Sequence, residues 1–387
     1  MKTNSNKHHV VIGIPVLLIG GTERQTVTLI SVLVSNGYKV TVCCYYESDA
    51  SMVSAMKKTG ADVLLLELKR PDGLLALLGN LRRVWRNMRP DIIHVQYISP
   101  GLIPVIAAKL AGIRTVFGTV HQPGRVYGWK ERLFLRTAAK LCTAFFCNSK
   151  AVEQSWFGNS EVFDPAYIRS RRKHFTIYNG IDVTKTESSV QEVDMEKIKE
   201  SLNIKNKKII GVVGRLRSEK GQAVLLNAII DVIKVFPDSV LLVVGDGPDR
   251  VSLEQRAKSL GLESNILWLG QKDQSEVFQL YSIMDVVAIP SVLEGFGLSV
   301  AEAMAAGCPV VGSRIDGLTE IIEDGVTGHT VPVNESGGLA VALIELLSNP
   351  EKAGSMGSRG HDRVKNMFSL ERFAVSTVAS YRYFTDG

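Results

Sequence analysis

The most informative stretch of the chain is Pro290–Met304, which reads PSVLEGFGLSVAEAM. It follows a short apolar run, Val286–Ile289, that predicts a buried strand. The GFG sequence at 295–297 is typical of a turn, and Leu298–Ala306 has the pattern of a helix. A helix N-terminus after a strand and a glycine turn forms an anion site, because its first N–H groups lack intrahelical partners and the helix dipole adds positive character.

Two carboxylates bracket this predicted anion site. Glu294 precedes the turn, and Glu302 lies inside the helix eight positions later. A carboxylate is unsuited to phosphate but can hydrogen-bond sugar hydroxyls, as the acidic residue of dinucleotide folds does for ribose. The alternative is a capping glutamate followed by a surface glutamate, and the glycine turn between the two weakens it.

Basic residues follow the strand predicted at 208–214. The segment Gly211–Gly221 reads GVVGRLRSEKG and contains Arg215 and Lys220. Residues at the carboxyl end of a strand in an open sheet lie where ligands bind. Arg binds a diphosphate with two donors, and Lys adds a point charge. A basic turn before a solvent-facing helix remains the alternative.

Outward from these motifs, apolar strands alternate with helical patterns along the whole chain. We predict strands at 10–19, 39–46, 61–67, 92–95, 115–120, 143–148 and 174–177, and then at 208–214, 239–245, 266–269, 286–289 and 309–311. Helices are predicted between them, for example at 23–36 and 73–88. This is the βαβα rhythm of a parallel sheet covered on both faces, so the fold class is α/β with two Rossmann-like, doubly wound domains.

The domain boundary is predicted near residue 183, because residues 184–194 are polar and lack an apolar period, as in a linker. The domains are then 1–183 and 184–369. We expect the final amphipathic helix, within 370–387, to pack back onto the first domain.

Composition bounds the class of protein. The 387 residues are 45% hydrophobic and 22% charged, which excludes a disordered chain and a collagen-like fibre. Five cysteines without a C-x-x-C pair argue against structural zinc and a disulfide framework and favour a reduced, cytosolic compartment. The apolar run Val10–Gly21 follows a basic start and so resembles a signal peptide, but it is better explained as a first buried strand.

Charge is divided unevenly between the two halves. Residues 1–185 contain 25 Lys and Arg against 12 Asp and Glu, whereas the whole chain has a net charge of +6. Such asymmetry favours an anionic partner for the first half. One candidate is the segment Arg82–Arg89, whose arginines recur beside apolar residues as in a helix on an anionic membrane, and the basic run 169–173 adds charge. A packed helix with a basic solvent face is the open alternative.

The first half offers two candidate site positions. Gly21 lies in a glycine turn at the end of strand one, and His121 follows the strand at 115–120 and precedes a proline. A histidine at a strand's carboxyl end can donate to a substrate hydroxyl or move a proton. A partly buried histidine bonded to backbone is the alternative. His94, inside its strand, is a weaker candidate.

Several catalytic signatures are absent from the sequence. It contains no G-x-S-x-G, H-E-x-x-H or D-x-D motif, and no G-x-G-x-x-G follows strand one, which disfavours a serine hydrolase, a zinc protease and an NAD enzyme.

Taken together, the motifs resemble glycosyltransferase family 4, which comprises retaining enzymes of the GT-B fold that use nucleotide sugars. The resemblance covers the loop Gly20–Glu23, His121, Ser149, the turn Asn179–Asp182, Arg215 with Lys220, Gly245–Gly247, the block from Glu294 to Glu302 and Gly307–Val311. It implies two domains facing across a cleft, with the donor in the second domain and the acceptor in the first.

The resemblance also implies residue roles. Those implied to bind the donor diphosphate are Gly21, Arg215, Lys220, Gly297 and Leu298. Those implied to bind the sugar are His121, Glu294, Gly295, Phe296 and Gly297, and Glu302 is implied to bind the ribose. His121 and Glu294 are the implied catalytic residues. The nucleotide sugar is a co-substrate, and neither a metal ion nor another cofactor is expected.

The expected activity is therefore metal-independent transfer of a hexose, with retention, to a lipid-linked or surface-polysaccharide intermediate. A small soluble acceptor, a nucleotide-sugar epimerase of the same fold and a non-catalytic nucleotide-sugar-binding subunit remain open alternatives. The expected location is cytoplasmic, with peripheral contact to the inner face of the membrane, and nucleic acid is not an expected partner.

Overall fold

The computed structural model describes residues 8–96, 102–166 and 172–386. The chain divides into two compact units, an amino-terminal unit of residues 1–180 with 371–387 and a carboxyl-terminal unit of residues 181–370.

In the described part of the amino-terminal unit, parallel strands form one twisted sheet. In chain order they are β1 His9–Ile14, β2 Lys39–Cys44, β3 Asp62–Leu65, β4 Ile92–Gln96, β5 Thr115–Val120, β6 Ala144–Cys147 and β7 His174–Thr176. The sheet order is β3-β2-β1-β4-β5-β6-β7. The helices that accompany them are α1 Gly21–Ser35, α2 Ala50–Lys58, α3 Gly73–Met88, α4 Ile103–Leu110, α5 Trp129–Leu141 and α6 Lys150–Phe157.

The carboxyl-terminal unit repeats this architecture. Its strands are β8 Ile209–Val213, β9 Val240–Val244, β10 Ile266–Gly270, β11 Val286–Ile289, β12 Val310–Ser313 and β13 His329–Val331, in the parallel order β10-β9-β8-β11-β12-β13. Its helices are α7 Val183–Gln191, α8 Met195–Ser201, α9 Gln222–Val235, α10 Arg250–Ser259, α11 Gln274–Tyr281, α12 Leu298–Ala305, α13 Asp316–Thr319, α14 Ser336–Ser348 and α15 Pro350–Met367.

Both sheets are buried on two faces. Every residue of β4 and β9 is buried, because helices cover each side of a parallel sheet and leave no face to water. The predicted α/β class with two doubly wound units is therefore confirmed. In each unit the strand order reverses once, between β1 and β4 and between β8 and β11. Ligands of open α/β sheets bind outside the carboxyl ends of the strands at such a reversal.

The segment 184–194, predicted as a polar interdomain linker, lies just after the boundary between the two units and belongs to the second. Most of that segment is helix α7, whose N-cap Asp182 accepts a hydrogen bond from the Lys185 N–H. Val183 and Thr186 are buried, and α7 packs on α11 and α12. The sequence pattern did not indicate this helix because tertiary packing, rather than an apolar period, stabilises so short and polar a segment.

The last helix, α16 Leu370–Asp386, contributes to the core of the amino-terminal unit. The Tyr381 ring is 1% exposed and lies 4.9 Å from the Phe117 ring, centroid to centroid, in an edge-on contact. Phe384 also packs against Phe117. Aromatic pairs in this geometry stabilise a core beyond the area they bury.

Helix α3 contains Arg82, Arg83 and Arg86 of the basic stretch, and Arg89 follows as its C-cap. Its apolar residues Leu77, Leu81 and Trp85 are buried in the core, while its arginines are exposed. The apolar residues beside the arginines are therefore packed against the core, whereas Leu74 and Leu75 at the start of the helix are exposed. Of the second basic run, 169–171 lies outside the described residues. Within 8–96, 102–166 and 172–386, no helix is both long and apolar enough to cross a bilayer.

Candidate functional site

The strand reversal of the carboxyl-terminal unit contains a close ion pair. Lys220 follows β8 and Glu294 follows β11, and the Lys220 Nζ donates to the Glu294 Oε1 at 2.6 Å. The Ser291 hydroxyl donates to the same oxygen at 2.9 Å. The two charged side chains are 29% and 15% exposed, so the pair is largely shielded but still reached by solvent. The structure thus joins two residues that the sequence placed 74 positions apart.

Backbone contacts hold the two loops of this pair together. The Val292 N–H donates to the Glu219 carbonyl at 2.8 Å. Gly221 has a φ of 69°, and a Cβ on it would clash with the Pro290 carbonyl oxygen. Only glycine fits a left-handed backbone in such close contact with a neighbouring chain. The loops therefore keep their spacing without the ion pair.

The predicted glycine turn and helix are present beside the pair. Gly297 has a φ of 96° and precedes α12 at its N-terminus. Phe296 is buried and contacts Phe368 edge-on, with ring centroids 5.5 Å apart. Glu302, in α12, is 8% exposed, which contradicts its reading as a solvated surface glutamate. Gly295 and Leu298 lie in the same turn and helix start, next to Glu294.

Arg215 lies on the same strand-end loop as Lys220. Its side chain is exposed, and its carbonyl accepts a hydrogen bond from the Gln222 side chain at 3.0 Å. The glycine turn after β9 packs directly against this loop, since a Cβ on Gly245 would clash with Gly214 and one on Gly247 with Leu216. That turn therefore has a packing role, and its glycines are not by themselves a nucleotide signature.

The remaining predicted positions belong to the amino-terminal unit. Gly21 is the first residue of α1, after β1. His121 directly follows β5, and its Nε2 lies 2.9 Å from the Gln96 Oε1. Its backbone carbonyl accepts from the Asn148 side chain at 3.2 Å. The alternative of a histidine ring bonded only to backbone does not hold, because the ring bonds a glutamine side chain.

His121 is part of a buried polar cluster. His94 is 3% exposed, and its Nδ1 lies 2.6 Å from the Tyr381 hydroxyl. Its Nε2 lies 2.6 Å from the Thr119 Oγ1 and 3.2 Å from the Gln96 Nε2. Burial lowers the pKa of His94 to about 3 and that of His121 to about 4, because a desolvated imidazole resists protonation. Both rings are therefore neutral at pH 7.

These side chains line a small cavity of about 40 Å³, room for roughly two or three water molecules. On its wall, Gln25 Oε1, Asn148 Oδ1 and Thr377 Oγ1 are buried and make no hydrogen bond to the residues that the structure describes. Unpaired buried polar atoms cost about 1–3 kcal/mol each when dry, which favours water in the cavity.

The sequence reasoning missed Ser291, Gln96 and Tyr381. A signal for Gln96 was present, because His94 and Gln96 are two residues apart on a strand and so share one face of the sheet. Ser291 lies three residues before Glu294 in the quoted motif, where a short polar side chain could have been read as its partner. Tyr381 is separated from His94 by 287 positions, so no local pattern could link them.

Two protein-family models match the chain. The model for glycosyl transferases group 1 matches residues 194–363, and the model for glycosyltransferase family 4 matches residues 19–185. Together they cover both units.

Curated relatives agree with these models. The N-acetyl-alpha-D-glucosaminyl L-malate synthase of Bacillus anthracis is 30% identical over 313 residues, covering 79% of this chain and 78% of the relative. The alpha-monoglucosyldiacylglycerol synthase of Acholeplasma laidlawii is 28% identical over 309 residues, covering 77% of each chain.

Among solved structures, Anabaena HepE in complex with UDP and glucose superposes with a TM-score of 0.81. It is 22% identical in sequence, and the match covers 97% of this chain and 99% of HepE. The likeness shows a shared fold.

Proposed function

Since the chain belongs to the group 1 glycosyl transferases of family 4 type, and is thus an enzyme of GT-B fold that transfers a hexose, we propose that it takes the sugar from a nucleotide diphosphate donor with retention of configuration. The observation that carries this proposal is the Lys220–Glu294 pair at the strand reversal beside the N-terminus of α12. There a cation, a carboxylate and the first N–H groups of a helix lie together, and this set suits a sugar diphosphate.

The proposed chemistry follows from the charges that develop. As the sugar C1–O bond breaks, negative charge grows on the departing phosphate and the sugar becomes oxocarbenium-like. Fixed cations and a helix N-terminus stabilise this charge more than the ground state. We assign that role to Lys220, Arg215 and the Gly297 and Leu298 N–H groups. The acceptor oxygen forms its bond to C1 on the face from which the phosphate departs, and that phosphate takes the acceptor's proton. With these cations on the diphosphate, the proposed transfer needs no metal ion.

The carboxylates have separate proposed roles. Glu294 would exchange its Lys220 contact for hydroxyls of the donor sugar near the reacting carbon, with Gly295 and Phe296 beside it. Glu302, buried in α12, would bind the ribose. In the amino-terminal unit, Gly21 would contribute to diphosphate binding. His121 would contact the sugar as a neutral imidazole, because its pKa of about 4 keeps it uncharged at pH 7.

For the acceptor we propose a lipid-linked intermediate. One relative is named a monoglucosyldiacylglycerol synthase, and the excess of basic residues in the first half suits an anionic lipid surface. Another relative is named an N-acetyl-alpha-D-glucosaminyl L-malate synthase, which supports a small soluble acceptor as the second candidate.

Helix α5 provides the surface for peripheral membrane contact in this proposal. Its outer face exposes Trp129 (71%), Leu133 (55%) and Phe134 (53%). Residues 125–141 contain five basic side chains and one acidic one. Aromatic and aliphatic side chains flanked by Lys and Arg are typical of helices that lie in the interface of an anionic bilayer. Helix α5 begins eight residues after His121, and His121 directly follows the carboxyl end of β5. The exposed face of α5 is therefore close in sequence to a predicted site residue.

Tryptophan fluorescence tests this surface directly. Of the four tryptophans, Trp85 and Trp156 are at most 1% exposed, Trp268 is packed against the carboxyl-terminal core, and Trp129 is exposed. Anionic vesicles should shift the emission of the wild type to the blue, and Leu133→Glu with Phe134→Glu should abolish the shift. Val341→Glu, an exposed valine of α14, is the control. Equal binding to neutral vesicles, or a dimer disrupted by the α5 variant, would argue against this role.

Transfer itself is tested by release of nucleoside diphosphate from the donor with and without acceptor. Lipid-linked sugar acceptors extracted from bacterial membranes and water-soluble acceptors form the two arms. Release that requires an acceptor and is lost in Glu294→Ala supports the proposal. Acceptor-free interconversion of donor sugars would indicate an epimerase, and binding without turnover a non-catalytic subunit.

A further inference from the structure

A continuous chain of hydrogen bonds links the C-terminal helix to His121. It runs from the Tyr381 hydroxyl to His94 Nδ1 at 2.6 Å, from His94 Nε2 to Gln96 Nε2 at 3.2 Å, and from Gln96 Oε1 to His121 Nε2 at 2.9 Å. Tyr381, His94 and Gln96 are each at most 3% exposed. These bonds are therefore shielded from bulk solvent.

The orientation of the Gln96 amide gives the chain a direction. Its Nε2 can only donate, so the single lone pair of His94 Nε2 is the acceptor, shared between the Gln96 amide and the Thr119 hydroxyl in a three-centre hydrogen bond. The proton of the neutral His94 ring then lies on Nδ1 and is donated to the Tyr381 oxygen. The Gln96 Oε1 can only accept, so His121 donates from Nε2–H. The Nδ1 atom of His121 is consequently the unprotonated nitrogen.

We propose that Gln96 and Tyr381 are positioning residues that fix His121 in its Nε2–H tautomer, so that its Nδ1 accepts a hydrogen bond from a hydroxyl of the substrate sugar. The functional part of this inference rests on the proposed glycosyl transfer, whereas the tautomer itself does not. Both rings are neutral, so the chain selects between two uncharged forms of His121. The other form would carry a proton on Nδ1 and donate to the hydroxyl instead.

The chain also predicts an effect over a long sequence distance. In Tyr381→Phe, the His94 Nδ1–H loses its acceptor in a buried position. The proton would move to His94 Nε2, which can donate to Thr119 and to a reoriented Gln96 Oε1. The Gln96 NH₂ group would then face His121 and donate to its Nε2, leaving the proton on Nδ1. A change at residue 381 thus reverses the tautomer of residue 121.

Nitrogen NMR of the full chain with ¹⁵N-labelled histidine tests the proposal. The signals of His121 are assigned by their loss in His121→Asn. The proposal expects a pyrrole-type Nε2 and a pyridine-type Nδ1 for His121 in the wild type, and the reverse, or a mixture, in Tyr381→Phe. A wild-type His121 protonated on Nδ1 would overturn the proposal, as would an unchanged His121 tautomer in Tyr381→Phe.

Kinetics separates positioning from general structure. Gln96→Met keeps the length of the side chain but removes both hydrogen bonds, and it should lower kcat about tenfold while changing the KM for the donor less than about twofold. Gln154→Met, at an exposed glutamine whose side chain donates to the Gly158 carbonyl, is the matched control and should retain the wild-type His121 tautomer. A Gln96→Met enzyme with wild-type kcat would refute the functional role. A complete absence of transfer in the wild type would instead refute the proposed function and leave the NMR test standing.

Discussion

Substitutions in the Lys220–Glu294 pair should lower both stability and activity, but the two losses should add only for activity. In Lys220→Met and Glu294→Gln, the free enzyme loses one charge-assisted hydrogen bond of 2.6 Å. Such bonds contribute about 1.5–3 kcal/mol net, and the 29% exposure of the lysine lets water compensate part of the loss. We expect each single variant to be destabilised by about 1–2 kcal/mol. The double variant should be destabilised less than the sum of the two, because both changes break the same pair.

Transfer should behave differently if substrate separates the two side chains. Lys220 would then bind the departing phosphate and Glu294 the sugar, so each substitution removes its own transition-state contact. If each contact stabilises the transition state by about 1.5–3 kcal/mol, its removal lowers kcat/KM by roughly 10- to 150-fold. The two losses should multiply in the double variant.

The assay is a double-mutant cycle measured twice. Urea denaturation gives the free energies of unfolding, and nucleoside diphosphate release gives kcat/KM. Backbone contacts between the loops should keep all variants folded. Subadditive stability with additive activity supports the reasoning. If the activity losses are also subadditive and follow the stability losses, the pair is only a structural ion pair and the assigned roles are refuted.

Other consequences of the structure are simpler to state. The pKa of His94 is about 3 and that of His121 about 4 in the folded protein. The unfolded chain therefore binds more protons than the folded chain below about pH 6.5. As the pH falls from 6.5 to 4, the free energy of unfolding should decrease by up to roughly 1.4 kcal/mol per pH unit for each ring. Urea denaturation at several pH values measures this, and a flat profile from pH 6.5 to 5 would contradict it. Glu153→Gln should destabilise the fold by about 3–5 kcal/mol, because the buried carboxylate accepts from Arg172, His174 and Thr176. Glu47→Gln, at an exposed carboxylate paired with Arg70, is the control and should lower the free energy of unfolding by less than about 1 kcal/mol. Equal decreases in Tm for the two variants would argue against a buried network around Glu153. Gly221→Ala should lower both stability and donor affinity through its backbone clash, and a wild-type affinity by calorimetry would show that the loop spacing is unimportant.

Much of the fold could be predicted because parallel strands have long apolar runs. The bounds of β5, β11 and α3 agree with the predicted segments. The first strand was predicted at 10–19 but ends at Ile14, since an apolar run continues into the following loop without a sequence signal for its end. The three-residue strand β13 was missed, because so short a segment has no visible period.

The candidate site was predictable in its parts but not in its connections. Glycine turns and strand ends indicated Glu294 and Lys220 separately, since each position depends on local chain geometry. Their ion pair depends on β8 and β11 being neighbours in the sheet, which only topology provides. The same holds for His94 and Tyr381. The apolar face of α3 shows the same limit: periodicity identifies an apolar face, but only packing decides whether Leu77, Leu81 and Trp85 are covered.

The central claim is that the strand reversal of the carboxyl-terminal unit binds a nucleotide diphosphate sugar. Thermal shift across a panel of UDP, GDP and ADP sugars, with the wild type and Lys220→Met side by side, tests it most directly. We expect one nucleotide sugar to raise the Tm of the wild type, because a ligand that binds only the folded state stabilises it. The same nucleotide sugar should raise the Tm of Lys220→Met much less. A wild type that no member of the panel stabilises, or a variant that responds equally, would contradict it.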